Sequence, residues 1–144
     1  MLLLFPVLLL AAMAGRAEDS QTNKTDLARL QGEWSMVSGS RGGSKLTPKP
    51  NSKRTRHGNE VTVIVGGNLI MKANITPDAA KNPKTVDYKV VEGPYAGTTM
   101  LGIYEFDGDT VKFSYAVQGK DRPADFTTAG GDGRTSSVWR RAAP

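Results

Sequence analysis

The chain has 144 residues, carries a formal net charge of +5 and contains no cysteine. This length is typical of a single domain. Without cysteine, the fold cannot be held by disulfides, no thiol can act as a nucleophile or metal ligand, and no lipid can be attached through a cysteine. A hydrophobic core must therefore stabilise the protein.

The positive charge is concentrated in one segment. Between Ser35 and Asn59 the chain has no acidic residue. Six basic residues lie in the same stretch: Arg41, Lys45, Lys49, Lys53, Arg54 and Arg56. The rest of the chain is roughly balanced, so the basic character describes one segment rather than the whole surface.

The N-terminal residues have the pattern of a secretory signal peptide. An apolar run from Leu2 to Leu10 is followed by small residues, with cleavage expected after Ala14 or Ala17. The run is too short for a helix to span a bilayer, which takes about 20 residues; an uncleaved anchor is the alternative. We predict a signal peptide over residues 1–17, export to the periplasm or the cell exterior, a disordered segment over 18–26 and one domain over 27–142. No later segment predicts a membrane span.

One short helix and a series of strands are expected in the domain. The segment from Thr25 to Gln31 predicts one or two helical turns with Thr25 as the N-cap. Beyond it, apolar and polar residues alternate with the period of two that is typical of strands. The alternation predicts eight strands: Trp34–Ser38, Glu60–Val65, Leu69–Ile75, Thr85–Val91, Thr98–Phe106, Thr110–Ala116, a short strand near Phe126, and Ser136–Arg141.

The connections between these strands indicate the fold class. Most are short and rich in turn residues, and no crossover helix separates the strands. This organisation predicts an all-β, eight-stranded antiparallel up-and-down barrel, with a two-sheet sandwich as the alternative. Closure would remove the unpaired edges that favour aggregation. The exception is the long segment from Gly39 to Gly58, which we interpret as a basic loop.

Two hairpins decide which side chains face the interior. A three-residue loop at Gly66–Asn68 would place Leu69, Met71 and Ala73 on the face of Val61, Val63 and Val65. The hairpin around Asp107–Asp109 allows two registers. One places Tyr104 on the face of Phe113, and the other places Leu101 and Ile103 there. We favour the second because it buries more aliphatic surface.

Several segments together resemble a known family. They are "LQGEW", "KTVDYKV", "GIYEFDGDTVKFSY", "GKDRPADF" and the closing "VWRR". The chain from about Leu27 to Arg141 resembles a lipocalin-like domain family found mainly in Planctomycetes. The resemblance implies a calycin-like antiparallel barrel, and it implies no activity because none is established for the family.

The Gly-x-Trp of "LQGEW" also resembles the opening signature of lipocalins. The resemblance implies that Gly32 and Trp34 lie at the closed end of the barrel, with Arg141 or Arg140 packed across the indole. A guanidinium on an indole face contributes about 0.5–2 kcal/mol. It also implies that the Gly39–Gly58 segment is a lid. The chain lacks the disulfides of lipocalins and any evident C-terminal helix.

No group of residues predicts catalysis. The single histidine, His57, has no acidic neighbour in sequence, and the carboxylates of Glu105, Asp107 and Asp109 fit turn chemistry better than a calcium loop. With no nucleophile–base pair or metal-ligand set in view, we expect neither an enzyme nor a bound metal or cofactor.

Two functional hypotheses follow. In the first, a barrel that is either filled by side chains or open holds a small apolar or amphipathic ligand. The candidate pocket residues are Val61, Val63, Leu69, Met71, Val86, Tyr88, Val90, Phe113 and Tyr115. In the second, a solid barrel binds a protein or an anionic polymer through Lys53, Arg54 and Arg56. We expect a monomer that binds no nucleic acid, because the basic segment has no aromatic residue to stack on bases.

Overall fold

The computed structural model describes residues 22–142, which form one helix and nine strands. Residues 22–30 form helix α1. The strands are β1 (Gly32–Arg41), β2 (Ser44–Leu46), β3 (Lys53–His57), β4 (Glu60–Val65), β5 (Asn68–Asp78), β6 (Lys84–Glu92), β7 (Thr99–Asp107), β8 (Thr110–Ala116) and β9 (Arg134–Arg141). The proposed signal peptide lies outside the described residues.

Strand β1 closes the sheet into a barrel. Strands β3 to β9 follow one another as antiparallel neighbours, and β1 pairs with both β3 and β9. The short β2 lies on the same edge of β1 as β3, further along the strand. The prediction of a closed, eight-stranded antiparallel barrel is confirmed.

The eight barrel strands are not the eight that the sequence predicted. Strand β3, Lys53–His57, lies inside the segment that we interpreted as a loop, and the segment around Phe126 is not a strand. Strand β3 reads "KRTRH" and has no aliphatic or aromatic residue to mark a buried face. Its inward positions are Arg54 and Arg56, which are 3% and 1% exposed. Hydrophobic alternation therefore could not reveal it.

Helix α1 is longer than predicted and covers one end of the barrel. Residues 22–26 were expected to be disordered and Thr25 to be an N-cap, but these positions are helical. Asp26 and Leu30 are buried, at 2% exposure each. In the described part of the chain, no helix has the length and apolar character needed to cross a bilayer.

A bulge corrects the predicted register of the β4–β5 hairpin. The turn is formed by Gly66 and Gly67, so Val65 pairs with Asn68, and the register shifts between Val63 and Ile64. Met71 still joins the interior as predicted, but Leu69 is 37% exposed. The pocket assignment of Leu69 is therefore wrong, because the extra residue sits between it and Met71.

The favoured register of the β7–β8 hairpin was also wrong. Asp107 pairs with Thr110 and Tyr104 with Phe113, which places the Tyr104 ring in the interior. The aliphatic Ile103 faces outward, yet it is only 1% exposed. The aliphatic-burial argument failed because this part of the outer face is also covered.

The cover is the segment 117–133, which follows β8. Arg122 fastens it to the sheet: its Nη1 donates to the carbonyl of Gly102 at 2.8 Å, and its Nη2 lies 2.7 Å from the carboxylate of Asp87. Beneath this layer, the hydroxyls of Ser136 and Ser114 share a buried hydrogen bond of 3.0 Å. The segment thus forms a second, small layer outside the barrel.

Trp34 occupies the end of the barrel that α1 covers. The ring is 3% exposed, and its Nε1 donates to the carbonyl of Leu30 at 3.2 Å. The guanidinium carbon of Arg141 lies 4.3 Å from a Trp34 ring centroid. Gly32 has a φ of 97°, and a Cβ there would lie 3.3 Å from Arg141 Nη1. The arrangement is the one that the lipocalin resemblance implied.

We expect Trp34→Ala to lower the free energy of unfolding by about 3–5 kcal/mol, because it removes a buried ring. Chemical denaturation measures the change. The control is Val37→Ala in the same strand, at a side chain that is 39% exposed, where a change within about 0.5 kcal/mol is expected. Equal losses in the two variants would contradict the assignment of Trp34 as the plug of this end.

Candidate ligand-binding site

A cavity of about 340 Å³ lies in the barrel at the end away from α1. It is positioned by the later half of β1, the C-terminal end of β4, the start of β5, the end of β8 and residues 135–139 of β9. Its apolar lining consists of Met36, Leu46, Val63, Val65, Ile70, Met71 and Trp139. Its volume is at the lower end of the range for small-molecule pockets.

The connection from β1 to β3 covers the mouth of this cavity. Strand β2 pairs with the end of β1, through Gly39 with Leu46 and Arg41 with Ser44. From β2 onward, Lys45, Leu46, Thr47 and Lys49 contribute to the cavity wall. The segment that we interpreted as a lid therefore divides into two strands and a short cover, residues 47–52.

The structure brings together only part of the predicted pocket. Val63, Met71 and Tyr115 line the cavity. Five other candidates are buried in the packed core instead: Val61, Val86, Tyr88, Val90 and Phe113. The barrel is thus filled by side chains near α1 and open near its mouth. The sequence left open whether the barrel is filled or open, and each alternative applies to one half of it.

Arg54 is a cavity residue that the sequence placed on the surface. It lines the cavity, and its guanidinium carbon lies 3.7 Å from the centroid of the Phe113 ring. Its Nη2 is buried without a hydrogen-bond partner in the described structure. Because side chains alternate between the two faces of β3, the neighbouring Lys53 faces solvent. Its Nζ lies 3.0 Å from Oε1 of Glu33. The assignment of Arg54 to an anionic-surface site is therefore wrong.

Arg56 continues the inner face of β3 towards α1, and its surface assignment is also wrong. Its Nε donates to the carbonyl of Gly58 at 2.8 Å, while Nη1 and Nη2 are buried without partners among the described residues. Burial, together with the nearby charge of Arg54, lowers the pKa of Arg56 to about 10. The barrel therefore encloses two neighbouring guanidinium groups.

No carboxylate of the described chain forms an ion pair with either arginine. The buried carboxylate of Asp26 has other partners: it accepts a hydrogen bond from Tyr104 and contacts Lys84 Nζ, both at 2.8 Å. The hydroxyl of Tyr88 is also buried without a hydrogen-bond partner within residues 22–142. The interior therefore contains excess positive charge and several unused donors.

The period of two in "KRTRH" is the one sequence signal that could have located these arginines. Arg54 and Arg56 are separated by one residue, so they must share a face if the segment is a strand. Nothing in the sequence says which face is buried, because charged residues are almost always exposed unless they are paired.

Comparisons with known proteins add no relative. No protein-family model, no curated protein and no solved structure matches the chain. Among residues 22–142, no cluster of three or more His, Asp or Glu side chains could hold a metal ion. The site is therefore interpreted from its own geometry and chemistry.

We expect Arg56→Met to raise the free energy of unfolding at neutral pH by about 1 kcal/mol or more. The substitution removes a desolvated charge that has no counter-ion and retains an unbranched side chain. The penalty applies below about pH 10, where the arginine is charged in both the folded and the unfolded state.

Urea denaturation of Arg56→Met measures this change. The matched control is Arg140→Met. The Arg140 side chain is exposed, and its Nε lies 3.5 Å from Oδ2 of Asp109. There a change within about 0.5 kcal/mol is expected. A clearly less stable Arg56→Met protein would show that the buried charge is compensated.

The tyrosines give a second test of the interior. Burial raises the pKa of Tyr115 to about 12, and burial also raises the pKa of Tyr88 and Tyr104. An acid with a raised pKa in the folded state stabilises the fold below its unfolded pKa of about 10, and the contribution disappears as pH rises. We therefore expect Tyr115→Phe to lose stability less steeply than wild type between about pH 10 and 12, as measured by denaturation at several pH values. Identical slopes would contradict the burial of this hydroxyl.

Proposed function

We propose that this protein binds a small apolar or amphipathic molecule in the cavity at the mouth of its barrel. The observation that carries the proposal is the cavity of about 340 Å³, whose wall is mainly aliphatic, thioether and indole surface. A concave site with such a lining and a few polar groups is typical of small-molecule binding.

The lining suits an adaptable fit to the ligand. Met36 and Met71 both line the cavity and belong to non-adjacent strands, β1 and β5. Thioether side chains are unbranched and polarizable, so they adjust to guests of different shape. The hydroxyls of Tyr115, Thr135 and Ser137 offer polar contacts at the same wall.

The cover over the cavity gives the ligand a route of entry. Residues 47–52 contain no strand, and Thr47 and Lys49 are exposed while they also line the cavity. The end of this segment is tied to the β4–β5 turn, because Gly67 N donates to the carbonyl of Asn51 and Gly66 N to the hydroxyl of Ser52, both at 3.1 Å. The exposed residues 47–50 before it lie outside the strands, so this part can open at low free-energy cost. In this proposal the cover admits the ligand and then shields it from water.

The same proposal places the protein outside the cytoplasm. Its support is the apolar run from Leu2 to Leu10 and the small residues that follow, together with the resemblance to lipocalin-like domains.

The alternative of a solid barrel that binds anionic polymers has lost two of its three residues. Arg54 and Arg56 point inward, so of the proposed set only Lys53 presents its charge to solvent. A surface interaction would have to use other side chains, and no observation favours it over the cavity.

Ligand binding can be tested with dodecanol, dodecylamine and dodecanoate, three amphiphiles that share a chain and differ in the head group. Native mass spectrometry should show a one-to-one complex with at least one of them. The substitution Val65→Trp places a bulky ring in the cavity wall and should abolish this complex. The control is Val91→Trp, at an outer position that is 48% exposed. Absence of every complex in the wild-type protein, or equal binding by Val65→Trp, would overturn the proposal.

A further inference from the structure

The charges around the cavity are of one sign, and this narrows the class of ligand. Four cationic side chains contribute to its wall: Arg41, Lys45, Lys49 and Arg54. The wall contains no aspartate or glutamate. Such a field attracts anions and repels cations, and the low-dielectric wall strengthens it.

Arg54 differs from the other three cations in its surroundings. Arg41, Lys45 and Lys49 are exposed at the mouth, where water and salt screen their charge. Arg54 is 3% exposed, and its Nη2 has no hydrogen-bond partner among the described residues. A buried charge without a counter-ion costs several kcal/mol, and no carboxylate of the described chain forms an ion pair with Arg54.

The surrounding interior does not supply that counter-ion. Arg56, two residues further along the same inner face, adds a second positive charge. Tyr88 interacts with both arginines, but its hydroxyl is uncharged because burial raises its pKa. The Phe113 ring makes a cation–π contact with one face of the Arg54 guanidinium, but it carries no negative charge. None of these three side chains supplies the negative charge that would balance Arg54.

We infer that the ligand is an anionic amphiphile, whose acidic head group binds Arg54 and whose apolar tail lies along the cavity towards its mouth. This inference rests on the proposed function and adds the chemical class of the ligand. The guanidinium donates charge-assisted hydrogen bonds to the acid group. The thioether, aliphatic and indole surface then contacts the tail, and the exposed cations at the mouth raise the rate of encounter.

The head group can be tested with the same three amphiphiles, measured by titration calorimetry at about pH 7. There dodecanoate is anionic, dodecanol neutral and dodecylamine cationic. We expect dodecanoate to bind at least ~10-fold more tightly than dodecanol, and dodecylamine to bind most weakly. Dodecanol binding as tightly as dodecanoate would overturn this inference and leave the proposed function standing. No binding of any of them would overturn the proposed function itself.

A substitution at Arg54 tests where the head group lies. In Arg54→Met, dodecanoate should lose its advantage and bind about as weakly as dodecanol binds to the same variant. The matched control is Lys53→Met, the adjacent outward-facing position, which should keep the wild-type preference.

The wild-type salt dependence separates Arg54 from the cations at the mouth. If the preference for dodecanoate persists in Arg54→Met and disappears in high salt, the exposed cations provide it and the assignment to Arg54 is wrong. If the preference is lost in Arg54→Met and survives high salt in the wild type, the buried site is supported. Circular dichroism and cooperative urea unfolding of Arg54→Met report on its fold without a ligand, so a misfolded variant would be recognised, and the wild-type series still decides the ligand class.

Discussion

The pairing of β1 with both β3 and β9 is the constraint on which the structure depends. Without it the sheet would have two open edges, and no enclosed interior would exist. The start of β1 lies at one end of the barrel, where Trp34 contacts Leu30 of the helix and Arg141 of β9. Its other end pairs with β2, so the chain must cross the mouth before β3 begins. Closure thus produces the filled end, the open end and the cover together.

The buried positive charge is the feature of the fold that lowers its stability most clearly. A barrel of this size is stabilised by apolar burial, yet β3 contributes Arg54 and Arg56 to the inner face, and neither has an ion-pair partner in the described chain. Natural sequences break such packing rules mainly at functional sites, where the loss of stability is compensated elsewhere. Asp26 shows the contrast: its buried charge is paired with Lys84 and hydrogen-bonded to Tyr104. The unpaired arginines therefore support the proposal that this part of the interior binds a ligand.

The outer layer explains why burial and inward orientation differ in this barrel. Arg122 holds the segment 117–133 against β6 and β7, and beneath that segment Ser114 and Ile103 are buried although they face away from the interior. Inward-facing Tyr104 and outward-facing Ile103 are equally inaccessible, so a rule that assigns the more aliphatic face to the core gives the wrong register. Reasoning from burial alone holds only where one face of a sheet meets solvent.

The sequence by itself determined the closed antiparallel barrel, the positions of the hairpins and most of the core, because turn residues and apolar alternation are local properties. The registers of the β4–β5 and β7–β8 hairpins came only from the structure. It also pointed to Trp34 and Arg141. Only the tertiary structure decided that "KRTRH" is a strand and that Arg54 lies in the cavity. A charged side chain is buried or exposed according to what the rest of the barrel places around it, and for Arg54 that environment includes β1 and β8, which are distant from it in sequence. The pattern of apolar and polar residues along β3 does not reveal these surroundings.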